Sequence, residues 1–188
     1  VVTMVHEGGH ATHSFETRPL ALSTFKNTTA EVAEVASMAM ELISMEHWDA
    51  FFNNEADLKR AKIEHLEDLI SVLPWIATVD KFQHWIYENP EHTTADREAE
   101  WLKVFDQFSK TVTDWSGLEK FKNSSWHRQL HIFELPFYYI EYGMAQLGAI
   151  SVWRNYKQDP KKGLEAFLKG LRMGYTGTTG QIYEAMDI

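Results

Sequence analysis

The sequence contains no cysteine. That excludes a disulfide framework and thiolate metal sites, so any metal must be held by histidine and carboxylate. Basic residues are scarce as well: 18 Lys and Arg against 27 Asp and Glu leave a net charge of −9. No basic patch is available to neutralise phosphates, which argues against nucleic acid and against an anionic membrane surface as partners. No apolar run reaches the length of a membrane span, and no signal peptide is recognisable. The sequons Asn27-Thr28-Thr29 and Asn123-Ser124-Ser125 therefore carry little meaning, and a cytoplasmic protein is expected. Alternating strand segments, internal repeats and low-complexity tracts are missing too.

What is present suffices for one sizeable domain. The 188 residues are 44% hydrophobic and 13% aromatic, enough to build a core and too apolar for a disordered tail. Near the start stands His6-Glu7-Gly8-Gly9-His10, an H-E-x-x-H. Residues four apart lie on one face of a helix, so His6 and His10 can aim two imidazoles at one point, as a tetrahedral Zn²⁺ requires. Glu7 can reach a metal-bound water without being a ligand. Five residues of lead-in before such a helix are unusual. Peptide-cleaving zinc enzymes commonly hold substrate along a sheet edge, and nothing upstream could supply one. A C-terminal piece of a longer chain is the expectation.

Helical periodicity predicts an all-α domain over residues 1–188. A first helix covers about 2–15, where Gly8 and Gly9 each cost roughly 1 kcal/mol relative to Ala; the expected reason is that bulk is excluded where metal and substrate approach. Residues 16–29 read as a loop, and Thr28-Thr29-Ala30-Glu31 as a capping box. The helix it opens runs to about Met45, with Val32, Val35, Ala36, Ala39 and Ile43 at helical spacing. A third helix over 55–72 meets Leu73-Pro74, expected to kink or break it before Trp75–Tyr87 continues the pattern. Further helices are expected over 94–108, from Leu135-Pro136 to about Tyr156, and from Asp159-Pro160 to Leu171. Gly174, Gly177 and Gly180 form a glycine-rich loop before a last turn or two. The seven tryptophans are expected to be core and interhelical filler.

An H-E-x-x-H site needs a third protein ligand. The short downstream form is not met, since Glu16 stands where its histidine would be. A glutamate from the following helix is the other common solution, giving His₂Glu plus water. Glu31, Glu34 and Glu41 are the candidates. Glu34 and Glu41, seven apart, share a face, with Glu31 one turn earlier.

Three stretches in this order resemble the oligoendopeptidase F branch of the M3 zinc peptidases. They are His6-Glu7-Gly8-Gly9-His10-Ala11-Thr12-His13-Ser14, then Glu34-Val35-Ala36-Ser37-Met38-Ala39-Met40-Glu41, then His127 through Tyr142 with Leu135-Pro136-Phe137-Tyr138-Tyr139 inside it. The resemblance implies a helical zincin-type catalytic domain in which the H-E-x-x-H helix packs against the helix carrying the glutamate ligand. It implies one zinc ion per chain held by His6, His10 and Glu34, with Glu7 as general base, in an endopeptidase acting on short peptides. It further implies that His131, Tyr138 and Tyr142 face the bound peptide and help to stabilise the oxyanion. Tyr138 and Tyr142 share a helical face if the helix is regular; a register shift of one would exchange Tyr138 with Tyr139. His13 corresponds to a further family histidine and is expected beside the ligands.

Two other functions remain open at this point. Glu7-x-x-His10 is also the E-x-x-H of di-iron carboxylate bundles, but such sites use the motif twice, and no other histidine here has a glutamate three residues earlier. A non-catalytic helical module with structural zinc would want a fourth protein ligand and would have no use for Glu7. His127 and His131, four apart, could form a second metal pair, though no acidic partner is evident. Side-chain preference, substrate and oligomeric state are not legible.

Overall fold

The computed structural model describes residues 1–109 and 113–188. Among these the helices are α1 (Val2–Glu16), α2 (Ala30–Ser44), α3 (Glu55–Glu88), α4 (Thr94–Phe108), α5 (Glu119–Asn123), α6 (His131–Glu134), α7 (Ile140–Gln158), α8 (Pro160–Arg172) and α9 (Thr179–Ala185). Single 3-10 turns occupy Ser23–Lys26, Met45–Ala50 and Ser125–Arg128. No strand occurs among the described residues, so the fold is all-α as the periodicity predicts. The chain forms two compact units: Val1–Glu67 with Met144–Ile188, and Asp68–Gly143. The divisions fall inside α3 and α7.

In the first unit, α2 is the central element. Val32, Val35, Ala36, Ala39, Leu42 and Ile43 are buried on it, the 3–4 spacing read from the sequence. Trp48 after α2, Ala145, Ala149 and Val152 of α7, Phe167 and Leu171 of α8, and Ile182 and Met186 at the α9 end are buried in the same unit. Each large aliphatic side chain removed from water contributes about 1.5–3 kcal/mol. The capping box expected at Thr28–Glu31 does not form. The helix starts one residue later than that box requires: Thr29 occupies the N-cap without a side-chain bond, which puts Val32 three residues on, and Glu31 accepts a hydrogen bond from Thr179 Oγ1 at 2.9 Å. The α8 start is as expected: Asp159 caps Lys162 N at 3.1 Å, with Pro160 in the first turn.

The second unit is aromatic. Val79, Phe82, Trp101, Val104, Phe105, Trp126 and Ile132 form its core, with Trp75, Trp85 and Trp115 packed against them. The expectation that tryptophans fill the core holds here. α3 passes through Pro74 as one helix, so of the expected kink or break the break does not occur. Proline removes a single N–H bond, at a cost of about 3 kcal/mol, and burial of Ile76, Val79 and Phe82 just beyond it outweighs that loss. The helix predicted from Leu135 starts only at Ile140. Phe137 adopts φ +57°, a left-handed conformation that cannot continue a right-handed helix. Its N–H donates instead to Gln83 Oε1 at 2.9 Å. Gln83 is 1% exposed, and its amide also reaches the Ile132 carbonyl at 3.4 Å. One buried side chain thus ties down both ends of the 132–137 segment.

Candidate functional site

The H-E-x-x-H helix is α1, and His6 and His10 lie on one face of it, their ring centroids 5.0 Å apart. α2 packs against this face and brings Glu34 to the pair. Glu34 Oε2 is 3.6 Å from His6 Nε2, and one ligand atom each from His6, His10 and Glu34 lie within 4.8 Å of one another. Ligands bound at about 2.0–2.1 Å on a tetrahedral ion sit roughly 3.3 Å apart. The three residues fit a zinc ion, and a tetrahedral ion would keep its fourth position for water. Among the described residues no other such group of His, Asp or Glu occurs. Glu7 is exposed, one position beyond His6.

Of the three candidate glutamates, the structure separates their tasks. Glu31 bonds Thr179. Glu41 sits two turns beyond Glu34 on α2, and its Oε1 is 2.5 Å from His6 Nδ1. The two carboxylates therefore address opposite edges of one imidazole. A carboxylate at Nδ1 orients the ring and leaves its Nε2 edge facing Glu34. The other Glu41 oxygen is 3.4 Å from Nε2 of buried His65, whose ring lies 5.5 Å from that of Trp48. Glu34 Oε2 accepts a bond from Ser37 Oγ at 2.9 Å. The seven-residue spacing of Glu34 and Glu41 signalled a shared face; nothing in the sequence signalled His65 or Ser37.

The two glycines between the histidines have different jobs. A Cβ on Gly9 would lie 2.4 Å from the Ala36 carbonyl oxygen and 2.5 Å from Ser37 Cα. Gly9 thus excludes bulk for the sake of the α1–α2 contact, which corrects the expectation that both glycines clear room for metal and substrate. A Cβ on Gly8 would meet nothing within 4 Å. His13 is buried, and its Nε2 has no hydrogen-bond partner. Burial first, and the neighbouring His10 second, hold its pKa below the ordinary histidine value. It stands outside the His6, His10, Glu34 group.

The second unit gathers the late-chain residues. The His131 ring lies 5.8 Å from Tyr138, 5.0 Å from Tyr139 and 5.7 Å from Tyr142. Tyr138 and Tyr139 precede α7, so the helical-face argument for pairing Tyr138 with Tyr142 does not apply. Their rings nevertheless meet at 5.5 Å, and Tyr139 lies 5.4 Å from Tyr142. All three tyrosines surround one imidazole. Burial raises the Tyr139 hydroxyl above its usual pKa. His127 belongs to a different element, a 3-10 turn, and packs edge-on against Trp126 at 4.1 Å. It is exposed and stands apart from the His131 cluster.

The model of peptidase family M3 matches residues 1–188. The chain belongs to that family. Its place among the M3 peptidases is with oligoendopeptidase F: it is 26% identical over 182 residues to the oligoendopeptidase F homolog of Borreliella burgdorferi, covering 92% of this chain and 29% of that protein. Among solved structures, Pz peptidase A with an inhibitor superposes with a TM-score of 0.88 at 30% identity, over all of this chain and 33% of its own. A putative oligoendopeptidase F from Bacillus anthracis superposes with a TM-score of 0.79 at 25% identity, again over all of this chain and 30% of its own. The M3 chain described here thus spans about a third of the length of these relatives.

Proposed function

We propose that this chain carries the zinc centre of an endopeptidase that hydrolyses short peptides. The observation that carries the reading is the convergence of His6, His10 and Glu34 from α1 and α2, with Glu41 behind His6. Zinc, when bound, supplies a Lewis acid that polarises the scissile carbonyl and lowers the pKa of its water to about 7. Glu7 accepts a proton from the attacking water and passes it to the departing amine. His6, His10 and Glu34 are the ligands, and Glu41 orients His6. His131, Tyr138 and Tyr142 donate hydrogen bonds to the oxyanion that develops on the peptide. Three protein ligands plus a carboxylate in the Glu7 position favour catalysis over a closed structural site, which would need a fourth ligand.

The test uses the full-length protein, because the chain spans about a third of its relatives. Metal analysis should find one zinc per chain, and quenched fluorogenic peptides should be cleaved at internal bonds. Glu7→Gln should lower kcat by on the order of 10²–10⁴-fold with zinc retained. Undiminished cleavage by Glu7→Gln, or absence of stoichiometric zinc, would sink the reading.

A further inference from the structure

The tautomer of His131 can be read from its neighbours. The Trp75 indole carries one N–H and no acceptor, so its Nε1, 3.0 Å from Gln129 Oε1, donates to the amide oxygen. That bond fixes which way round the Gln129 amide lies. Its other end, Nε2, is then the group 2.7 Å from His131 Nδ1. An amide NH₂ only donates, so Nδ1 accepts and the ring proton resides on Nε2. The indole is itself held, with the Arg128 guanidinium 4.3 Å over its ring. The imidazole plane is set by Tyr138, stacked within 12° of it, and by the edge-on Tyr142.

We propose that Gln129 is a positioning residue that, oriented by Trp75, holds His131 as the Nε2–H tautomer, so that His131 meets the peptide as a hydrogen-bond donor. An oxyanion needs a donor there; the opposite tautomer would present a lone pair and repel it. The proposal rests on the reading above for the identity of the acceptor. The tautomer itself does not depend on that reading, which lets the two be separated.

The experiment is ¹⁵N NMR of histidine-labelled full-length protein, with His131 assigned by difference from His131→Gln, alongside steady-state kinetics and zinc content. Wild-type His131 should show a protonated Nε2 and an unprotonated Nδ1. Gln129→Glu is nearly isosteric but replaces the donor with an acceptor, so it should move the proton to Nδ1. It should also lower kcat by tenfold or more while KM and zinc content stay near wild type. Gln129→Leu should give mixed tautomers and an intermediate kcat. Trp75→Phe, which frees the amide to flip, should do the same more weakly. A wild-type spectrum with the proton on Nδ1 would overturn the proposal, and this holds even if the Gln129 and Trp75 variants fail to fold. A Gln129→Glu protein with an unchanged His131 spectrum would overturn it too. A moved proton with unchanged cleavage would overturn the donor role of His131 while leaving the zinc centre and Glu7 intact.

Discussion

In the first unit, His6, His10, Glu34 and Glu41 all project from two regular helices, at spacings of four and seven. In the second, His131, Tyr138 and Tyr139 come from a short helix and an irregular segment turned by the positive φ of Phe137. The first cluster is held by polar contacts of 2.5–3.6 Å around His6, the second by ring packing at centroid separations of 5.0–5.8 Å around His131. They are precise for different reasons. Regular helix geometry fixes the relative directions of the side chains in the first site. The irregular site depends on particular long-range bonds, above all Gln83 to Phe137. A helix-borne site should therefore tolerate loss of single peripheral contacts better than a loop-borne one.

Substitutions can break or sharpen that contrast. The largest effect is expected at the loop-borne cluster: Tyr138→Phe should lower kcat by about 10²–10³-fold if its hydroxyl is an oxyanion donor, with zinc content unchanged. Tyr139→Phe serves as the control, and a greater loss there than at Tyr138 would exchange their roles. Next, Glu41→Ala should weaken zinc binding about 10–100-fold, measured by competition with a chelator in protein that still folds; unchanged affinity would mean that the helix alone orients His6. Gly9→Ala should cost about 1–3 kcal/mol of stability in thermal or urea unfolding, since its methyl has to displace the α2 backbone at 2.4–2.5 Å. The smallest effect, of opposite sign, belongs to Gly8→Ala. Its methyl meets nothing within 4 Å, so stability should rise by up to about 1 kcal/mol, and a loss instead would show that this face is not open.

The same contrast explains what was legible. The buried stripe Val32–Val35–Ala36–Ala39–Ile43 and the two-histidine face of α1 follow from the 3.6-residue repeat. So does the common face of Glu34 and Glu41, though not which of them would face His6 Nε2. The Thr28–Glu31 capping box is absent because the helix caps at Thr29, one residue later, which leaves Glu31 to accept from Thr179, nearly 150 residues away in sequence. The break at Pro74 failed because apolar burial outweighs one lost backbone bond. The Tyr138 pairing was reached through a helix that does not exist at that point, and only the rings' convergence on His131 restores it.

Taken alone, the sequence determined the helical class, the two-histidine face of α1 and the face of α2 that meets it, because those depend on local geometry and hydrophobic period. Tertiary structure decided the rest. It selected Glu34 over Glu31 and Glu41 at His6 Nε2, set Gly9 against the α2 backbone, and brought Gln129 and Trp75 to His131. Each of those depends on which distant backbone or side chain packs beside the residue, and no local spacing encodes that.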